Sequence, residues 1–187
     1  MRYTLWRQLR LMLVVFIGYL FHVTVLNYLA IGECTIHLLL IILSVIIVGY
    51  NRHRAFWTGA FYGILMETML PGVPLLNLVF YPICALLMSL FFTDKSAARL
   101  QYEMSNHRRG RNRSVYLRTP LCAFFSTLLF EAVKLIYINL SNAEMSQEFL
   151  FRALGNVLLT TLATIVLMWP LRRLLGFSAP VSSAMSS

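Results

Sequence analysis

The chain has 187 residues, of which 59% are hydrophobic and only 12% are charged. Its mean hydropathy of +0.71 excludes an ordinary soluble domain, which could not stay in solution with that surface. The formal net charge is +9, but the basic residues lie in short connectors beside apolar stretches. Basic residues in that position meet anionic lipid headgroups more often than nucleic acid. Composition therefore predicts an integral membrane domain that contacts anionic lipids and no nucleic acid.

Six apolar stretches predict six transmembrane helices. These stretches cover residues 11–30, 36–50, 55–70, 73–92, 120–140 and 153–171. A hydrocarbon core about 30 Å thick requires about 20 helical residues, so the second and third stretches are short. We expect them to thin the bilayer locally or to be shielded by the other helices. The first stretch is too long for a signal peptide, so we expect it to be retained as a helix. Residues 1–175 are then predicted to form a single domain. The remaining residues, 176–187, are predicted to be a disordered tail.

The connectors between these stretches separate the charges by sign. Fourteen of the 16 Lys and Arg residues fall before the first stretch, in alternate connectors or after the sixth stretch, and these segments together form one side of the membrane. Arg152 falls on the other side, together with the acidic residues Glu33, Glu144 and Glu148. The positive-inside rule makes the basic side cytosolic, and both chain termini lie on that side.

The predicted cytosolic side also gathers the tryptophans and one long polar segment. The tryptophans are Trp6, Trp57 and Trp169, and indole rings are enriched at membrane interfaces. The polar segment covers residues 93–119, and its central basic residues are Arg108, Arg109, Arg111 and Arg113. This segment is too polar to bury a core. We expect either a solvated or headgroup-bound linker or a docking site for a cytosolic protein.

Three formal charges lie inside the apolar stretches. Each of Glu67, Glu131 and Lys134 would cost at least ~3 kcal/mol if it were ionised alone at the bilayer centre. Glu131 and Lys134 are three residues apart and can neutralise each other on one helix face. Gly59, Gly63 and Glu67 form a stripe on the third helix, where glycine permits close contact with another helix. If the third and fifth helices touch along this stripe, Lys134 is expected to bridge the two carboxylates.

The motifs on these helices resemble a known family. The quoted segments are Gly59-Ala60-Phe61-Tyr62-Gly63-Ile64-Leu65-Met66-Glu67, then Leu76-Asn77-Leu78, then Thr127-Leu128-Leu129-Phe130-Glu131, and finally Trp169-Pro170-Leu171. In order and spacing they resemble the bacterial rod shape-determining protein family MreD. The resemblance covers nearly the whole chain. It implies an all-α integral membrane protein with six transmembrane helices and cytosolic termini, similar in fold to the substrate-binding subunits of energy-coupling-factor transporters.

The resemblance also implies a function. It implies a non-catalytic scaffold of the cell-wall elongation complex in the bacterial plasma membrane, which maintains rod shape. Its partners would be an MreC-like protein, actin-like MreB filaments, a RodA-like glycosyltransferase and a class B penicillin-binding transpeptidase. The residues expected at helix-packing or partner interfaces are Gly59, Gly63, Glu67, Asn77, Glu131 and Lys134.

An enzyme is not predicted. The sequence has no nucleophile–base pair, metal motif or phosphate-binding loop, and its three cysteines show no ligand spacing, so we expect neither a metal nor another cofactor. An intramembrane enzyme would need paired catalytic groups, for which only Glu67 and Glu131 qualify. The alternative function is a substrate-binding subunit of an energy-coupling-factor vitamin transporter. Those subunits usually carry an alanine-xxx-alanine face on the first helix, which residues 11–30 lack.

Overall fold

The computed structural model describes residues 2–26, 34–50, 52–69, 75–93, 105, 114–140 and 147–177. Within these ranges the chain is helical and contains no β-strand. The helices are α1 (Arg2–Phe21), which continues into a π-helical turn (His22–Leu26), α2 (Leu38–Gly49), α3 (Arg52–Met69), α4 (Leu76–Phe92), α5 (Val115–Leu140) and α6 (Gln147–Leu174). The six predicted apolar stretches each correspond to one of these helices.

Several predicted helix ends were wrong. Helix α1 begins at Arg2 and not at residue 11, α5 begins at Val115 and not at 120, and α6 runs over Gln147–Leu174 and not 153–171. The apolar run marks only the part of a helix suited to hydrocarbon, whereas a helix continues until its terminal backbone groups find other partners. The predicted polar segment 93–119 is shortened accordingly. Arg118, which belonged to that segment, is buried within α5 and donates from Nη1 to the Phe92 backbone oxygen at 3.2 Å.

Helix α2 forms the centre of the bundle. It contacts each of the other five helices. Every residue from Leu38 to Val48 is buried. Twelve helical residues span about 18 Å, which is shorter than a hydrocarbon core of about 30 Å. Of the two explanations offered for this short stretch, the structure supports shielding by the surrounding helices, because an enclosed helix does not have to match the lipid thickness.

The bundle is apolar outside and partly polar inside. Large hydrophobic side chains are exposed along the outer faces of five helices; they include Met12, Phe16, Ile64, Val79, Leu90, Phe125, Leu128, Leu158, Leu162 and Val166. The buried set includes Ser44, Ser126, Thr127, Asn156, Thr160 and Thr164. Helices α5 and α6 are long and apolar enough to cross a membrane. An apolar exterior of this extent, with backbone hydrogen bonds kept within helices, is typical of a helical membrane protein.

The end of α6 closes against α2. Gly176 has a positive φ of 73°, and the N–H groups of Gly176 and Phe177 donate back to the carbonyls of Arg173 and Arg172 at 3.1 and 3.0 Å. This is a glycine-dependent helix C-cap. The Phe177 ring packs edge to face on Tyr50, with ring centroids 4.8 Å apart. The ordered domain therefore extends two residues past the predicted boundary at 175, and the rest of the predicted tail lies outside the described residues.

Candidate functional site

Three side chains meet at the Glu131 carboxylate, one each from the start of α2, from α5 and from α6. We call Glu131, His37, Asn156 and Lys134 the Glu131 cluster. One carboxylate oxygen, Oε1, lies 2.8 Å from His37 Nε2, 3.0 Å from Asn156 Nδ2 and 3.6 Å from Lys134 Nζ. With Glu131 ionised, the histidine, amide and ammonium groups all face the acceptor as donors or cations. The carboxylate therefore links the start of α2 to α5 and α6.

The chain segment before α2 is held in place by α6. The Thr35 N–H donates to Asn156 Oδ1 at 2.7 Å, and the His37 N–H donates to Thr160 Oγ1 at 3.2 Å. Residues at a helix start have backbone N–H groups that no helical carbonyl can accept, so a buried start requires side-chain acceptors. Asn156 uses both ends of its amide, one on this backbone and one on Glu131. The position of His37 is thereby coupled to that of the carboxylate.

The two charges of the cluster differ in their surroundings. The Glu131 side chain is 8% exposed, whereas that of Lys134 is 38% exposed. The ammonium also lies 4.5 Å from the centroid of the Phe130 ring, a geometry suited to a cation–π contact. The carboxylate thus depends on protein donors for its stabilisation, while Lys134 retains access to the surroundings. Such a cluster is suited to joining helices, because each donor is already directed at the same oxygen.

His22 adds an incompletely satisfied polar group near the cluster. It lies in the π-helical turn after α1 and is buried. The turn that carries His22 contacts α2, which begins directly after His37. Among the described residues its Nδ1 atom has no hydrogen-bond partner. His22 therefore has one ring nitrogen that the contacts of the described residues do not use.

Sequence reasoning found only part of the Glu131 cluster. It paired Glu131 with Lys134 through their helical spacing, and this contact exists. It assigned no specific role to His37 and did not single out Asn156 or Thr160. A usable signal was present on α6, where Asn156, Thr160 and Thr164 recur every four residues within the apolar stretch 153–171 and are all buried. A polar stripe at helical spacing indicates a shared inward face.

The glycine stripe of α3 packs on α4. A Cβ atom added at Gly59 would lie 2.7 Å from the backbone oxygen of Tyr81, and one added at Gly63 would lie 2.8 Å from that of Asn77. Contacts this short leave no room for any side chain, so the two backbones approach directly. Asn77, in the first turn of α4, contributes its backbone to this contact. These motif residues together build the α3–α4 hairpin.

Glu67 closes the same hairpin and does not join the Glu131 cluster. Its Oε1 accepts a 2.6 Å hydrogen bond from the N–H of Leu75, which has a left-handed φ of 63° directly before α4. The expected bridge from Lys134 to both carboxylates was wrong, because the glycine face that carries Glu67 is turned toward α4 and not toward α5. The second oxygen of Glu67 is buried and has no hydrogen-bond partner within the described ranges.

Neither the remaining predicted residues nor a comparison with known proteins adds a further site. Arg108, Arg109, Arg111 and Arg113 lie outside the described residues. In the part of the chain that the structure describes, no group of three or more His, Cys, Asp or Glu side chains is arranged to hold a metal ion. No protein-family model, curated protein or solved structure matches this chain.

Proposed function

We propose that this chain is a multi-pass protein of the bacterial plasma membrane, with six spans and both termini in the cytosol. The charge asymmetry of the connectors supports this orientation. The exposed apolar side chains around the bundle support a lipid environment. Trp6, Trp57 and Trp169 are all exposed, as interfacial indole rings would be.

We further propose that the protein is a non-catalytic scaffold of the cell-wall elongation complex, of the MreD kind. It would link an MreC-like protein, actin-like MreB filaments, a RodA-like glycosyltransferase and a class B penicillin-binding transpeptidase. The observation that carries this proposal is the order and spacing of the motif residues along the chain. In the structure Gly59, Gly63, Glu67 and Asn77 all serve one hairpin, and Glu131 holds three elements together. These motif residues hold helices together and provide no reactive group, which supports a scaffold.

The geometry of the Glu131 cluster favours this function over vitamin transport. A small polar ligand needs polar side chains that converge on a free cavity. Glu131 and Asn156 are instead directed at each other and at backbone or side-chain groups of the protein. The broad apolar exterior of α5 and α6 supports contact with membrane helices of partners.

Depletion in a rod-shaped bacterium that carries this gene tests the proposal. Loss of the protein should produce wide or spherical cells before lysis, because side-wall synthesis loses its scaffold while division continues. A plasmid-borne wild-type copy should restore cell width. The MreC-like protein should also co-purify with the tagged chain from the same cells. Rods of normal width, accompanied by lost uptake of a vitamin, would reject the scaffold and support the transporter.

The basic segment offers a matched test of filament docking. Arg108, Arg109, Arg111 and Arg113 should be changed together to Gln, and in a second variant to Lys. If the segment docks cytosolic filaments through charge, the Gln variant should lose co-purification of the actin-like protein and the Lys variant should keep it. Both variants should still retain the MreC-like protein, since the membrane domain is unchanged. Unchanged filament recovery in the Gln variant would assign the segment no docking role.

A further inference from the structure

We propose that a groove between α1 and α3 binds one membrane phospholipid with an anionic headgroup. The proposal rests on the membrane location proposed above and is independent of the scaffold role. The groove has a volume of about 890 Å³. Binding sites for single small ligands fall in the range of about 300–1,000 Å³. The groove is therefore large enough to hold one ligand and is distinct from the Glu131 cluster.

The walls of the groove are apolar and open to the outside of the bundle. Met12 and Phe16 on α1 face Phe61 and Ile64 on α3. All four side chains are exposed, so the groove opens laterally where lipid would surround the protein. The Thr58 hydroxyl in the wall donates to the Arg54 backbone oxygen at 2.9 Å and is already satisfied. These walls are suited to hydrocarbon chains.

The length of the groove corresponds to one leaflet. Along α3 it extends from Arg54 to Ile64, ten residues that rise about 15 Å. Half of a hydrocarbon core about 30 Å thick is also about 15 Å. A transmembrane helix of a partner spans both leaflets, which is about twice the length of this groove. The acyl chains of a lipid need only this half, so the dimensions favour a lipid as the occupant.

The polar groups of the groove gather at one end. Gln8 and Arg54 lie there, near the first residues of α1 and α3. Arg54 is half-buried as a residue, and its guanidinium carbon lies 5.1 Å from the centroid of the Tyr50 ring. Among the described residues no carboxylate lies within ion-pair distance of Arg54. Trp57 lies one helical turn further along α3 and lines the same groove. The Arg54 cation complements the phosphate of a lipid headgroup, and the apolar groove beside it complements the acyl chains of one leaflet.

Quenching of Trp57 by brominated lipids tests this site. A variant with Trp6→Phe and Trp169→Phe, reconstituted in phosphatidylcholine vesicles, retains Trp57 as its only tryptophan. Phosphatidylglycerol or phosphatidylcholine with brominated acyl chains is then added at low mole fraction. Brominated phosphatidylglycerol should occupy the groove with a preference of about fivefold over brominated phosphatidylcholine. This factor corresponds to the attraction of one arginine to anionic headgroups.

Variants of Arg54 and its neighbour separate a built site from general surface attraction. Arg54→Gln should abolish the preference, and Arg54→Lys should keep most of it. Arg52→Gln is the matched control, because it removes the same charge from an exposed position on the same helix outside the groove. It should leave the preference unchanged. Ala60→Phe, which fills the groove, should reduce quenching by both lipids.

Two results of these quenching measurements would overturn the lipid site. A preference that survives Arg54→Gln, or that falls equally in Arg52→Gln, would overturn the assignment of the headgroup to Arg54. Quenching unaffected by Ala60→Phe would overturn the assignment of the acyl chains to the groove. Size-exclusion elution at the wild-type position is required of every variant. Cell shape does not enter these measurements, so they fail or succeed independently of the proposed scaffold.

Discussion

Removing the Glu131 carboxylate should destabilise the bundle more than any other single change in the Glu131 cluster. In Glu131→Leu, His37 Nε2 and Asn156 Nδ2 both lose their acceptor, and Lys134 loses its counter-charge. Hydrogen bonds to charged groups contribute about 1.5–3 kcal/mol each in water-soluble proteins. Side-chain hydrogen bonds within membranes average about 0.6 and reach about 1.7 kcal/mol. Two such bonds and one lost ion pair give an expected loss of about 2–4 kcal/mol.

The buried cysteines provide a direct assay for this loss. Cys84 and Cys122 are fully buried, so a thiol-reactive fluorogenic dye in detergent reports unfolding when they become exposed. Cys34 is partly exposed and should be replaced by Ser in every variant to remove background labelling. For a chain of this length the expected loss lowers the melting temperature by about 5–15 °C. Glu131→Gln should cost less, because its amide oxygen can still accept from His37 and Asn156.

A double-variant comparison tests whether Glu67 belongs to the cluster. Lys134→Met leaves a buried carboxylate with one cation fewer, and adding Glu131→Gln should recover part of the lost stability, since no unpaired charge remains. Adding Glu67→Gln instead should recover nothing, because Glu67 bonds to Leu75 in the α3–α4 hairpin. Equal recovery by the two additions would refute this arrangement, as would a Glu131→Leu protein that melts at the wild-type temperature.

Three further predictions concern the hairpin and the topology. Gly63→Leu should reduce the yield of folded protein severalfold, because even a Cβ would meet the main chain of α4, whereas Ile64→Leu on the exposed face should not. The melting temperature of Glu67→Gln should be closer to that of the wild type than the melting temperature of Glu67→Leu, because Gln keeps an oxygen that can accept from the Leu75 N–H. Equal melting temperatures would contradict a capping role. In a background without native cysteines, an impermeant thiol reagent added to intact cells should label a cysteine at Glu144 and spare one at Arg111, and the reverse pattern would show an inverted orientation.

The local features of this protein followed from its sequence. Among the described residues each of the six apolar stretches corresponds to one helix, because a helix satisfies the backbone hydrogen bonds of an apolar run within one continuous segment. The pairing of Glu131 with Lys134 followed from their spacing, because residues three apart share a helix face. The stripe of Gly59 and Gly63 likewise identified a close-packing surface. Each of these features depends on residues within a few turns of one another.

The partners across the fold were decided by tertiary packing. His37 precedes α2 and lies 94 positions from Glu131, and no periodicity along the chain indicates that they meet. The glycine stripe predicts a close contact but not its partner, which is the backbone of α4 at Tyr81 and Asn77 and not α5. Glu67 therefore accepts from the Leu75 N–H at the start of α4, and Lys134 pairs with Glu131. The central place of α2 has the same origin: its apolar run suits lipid or protein equally, and only the packing of the other five helices encloses it.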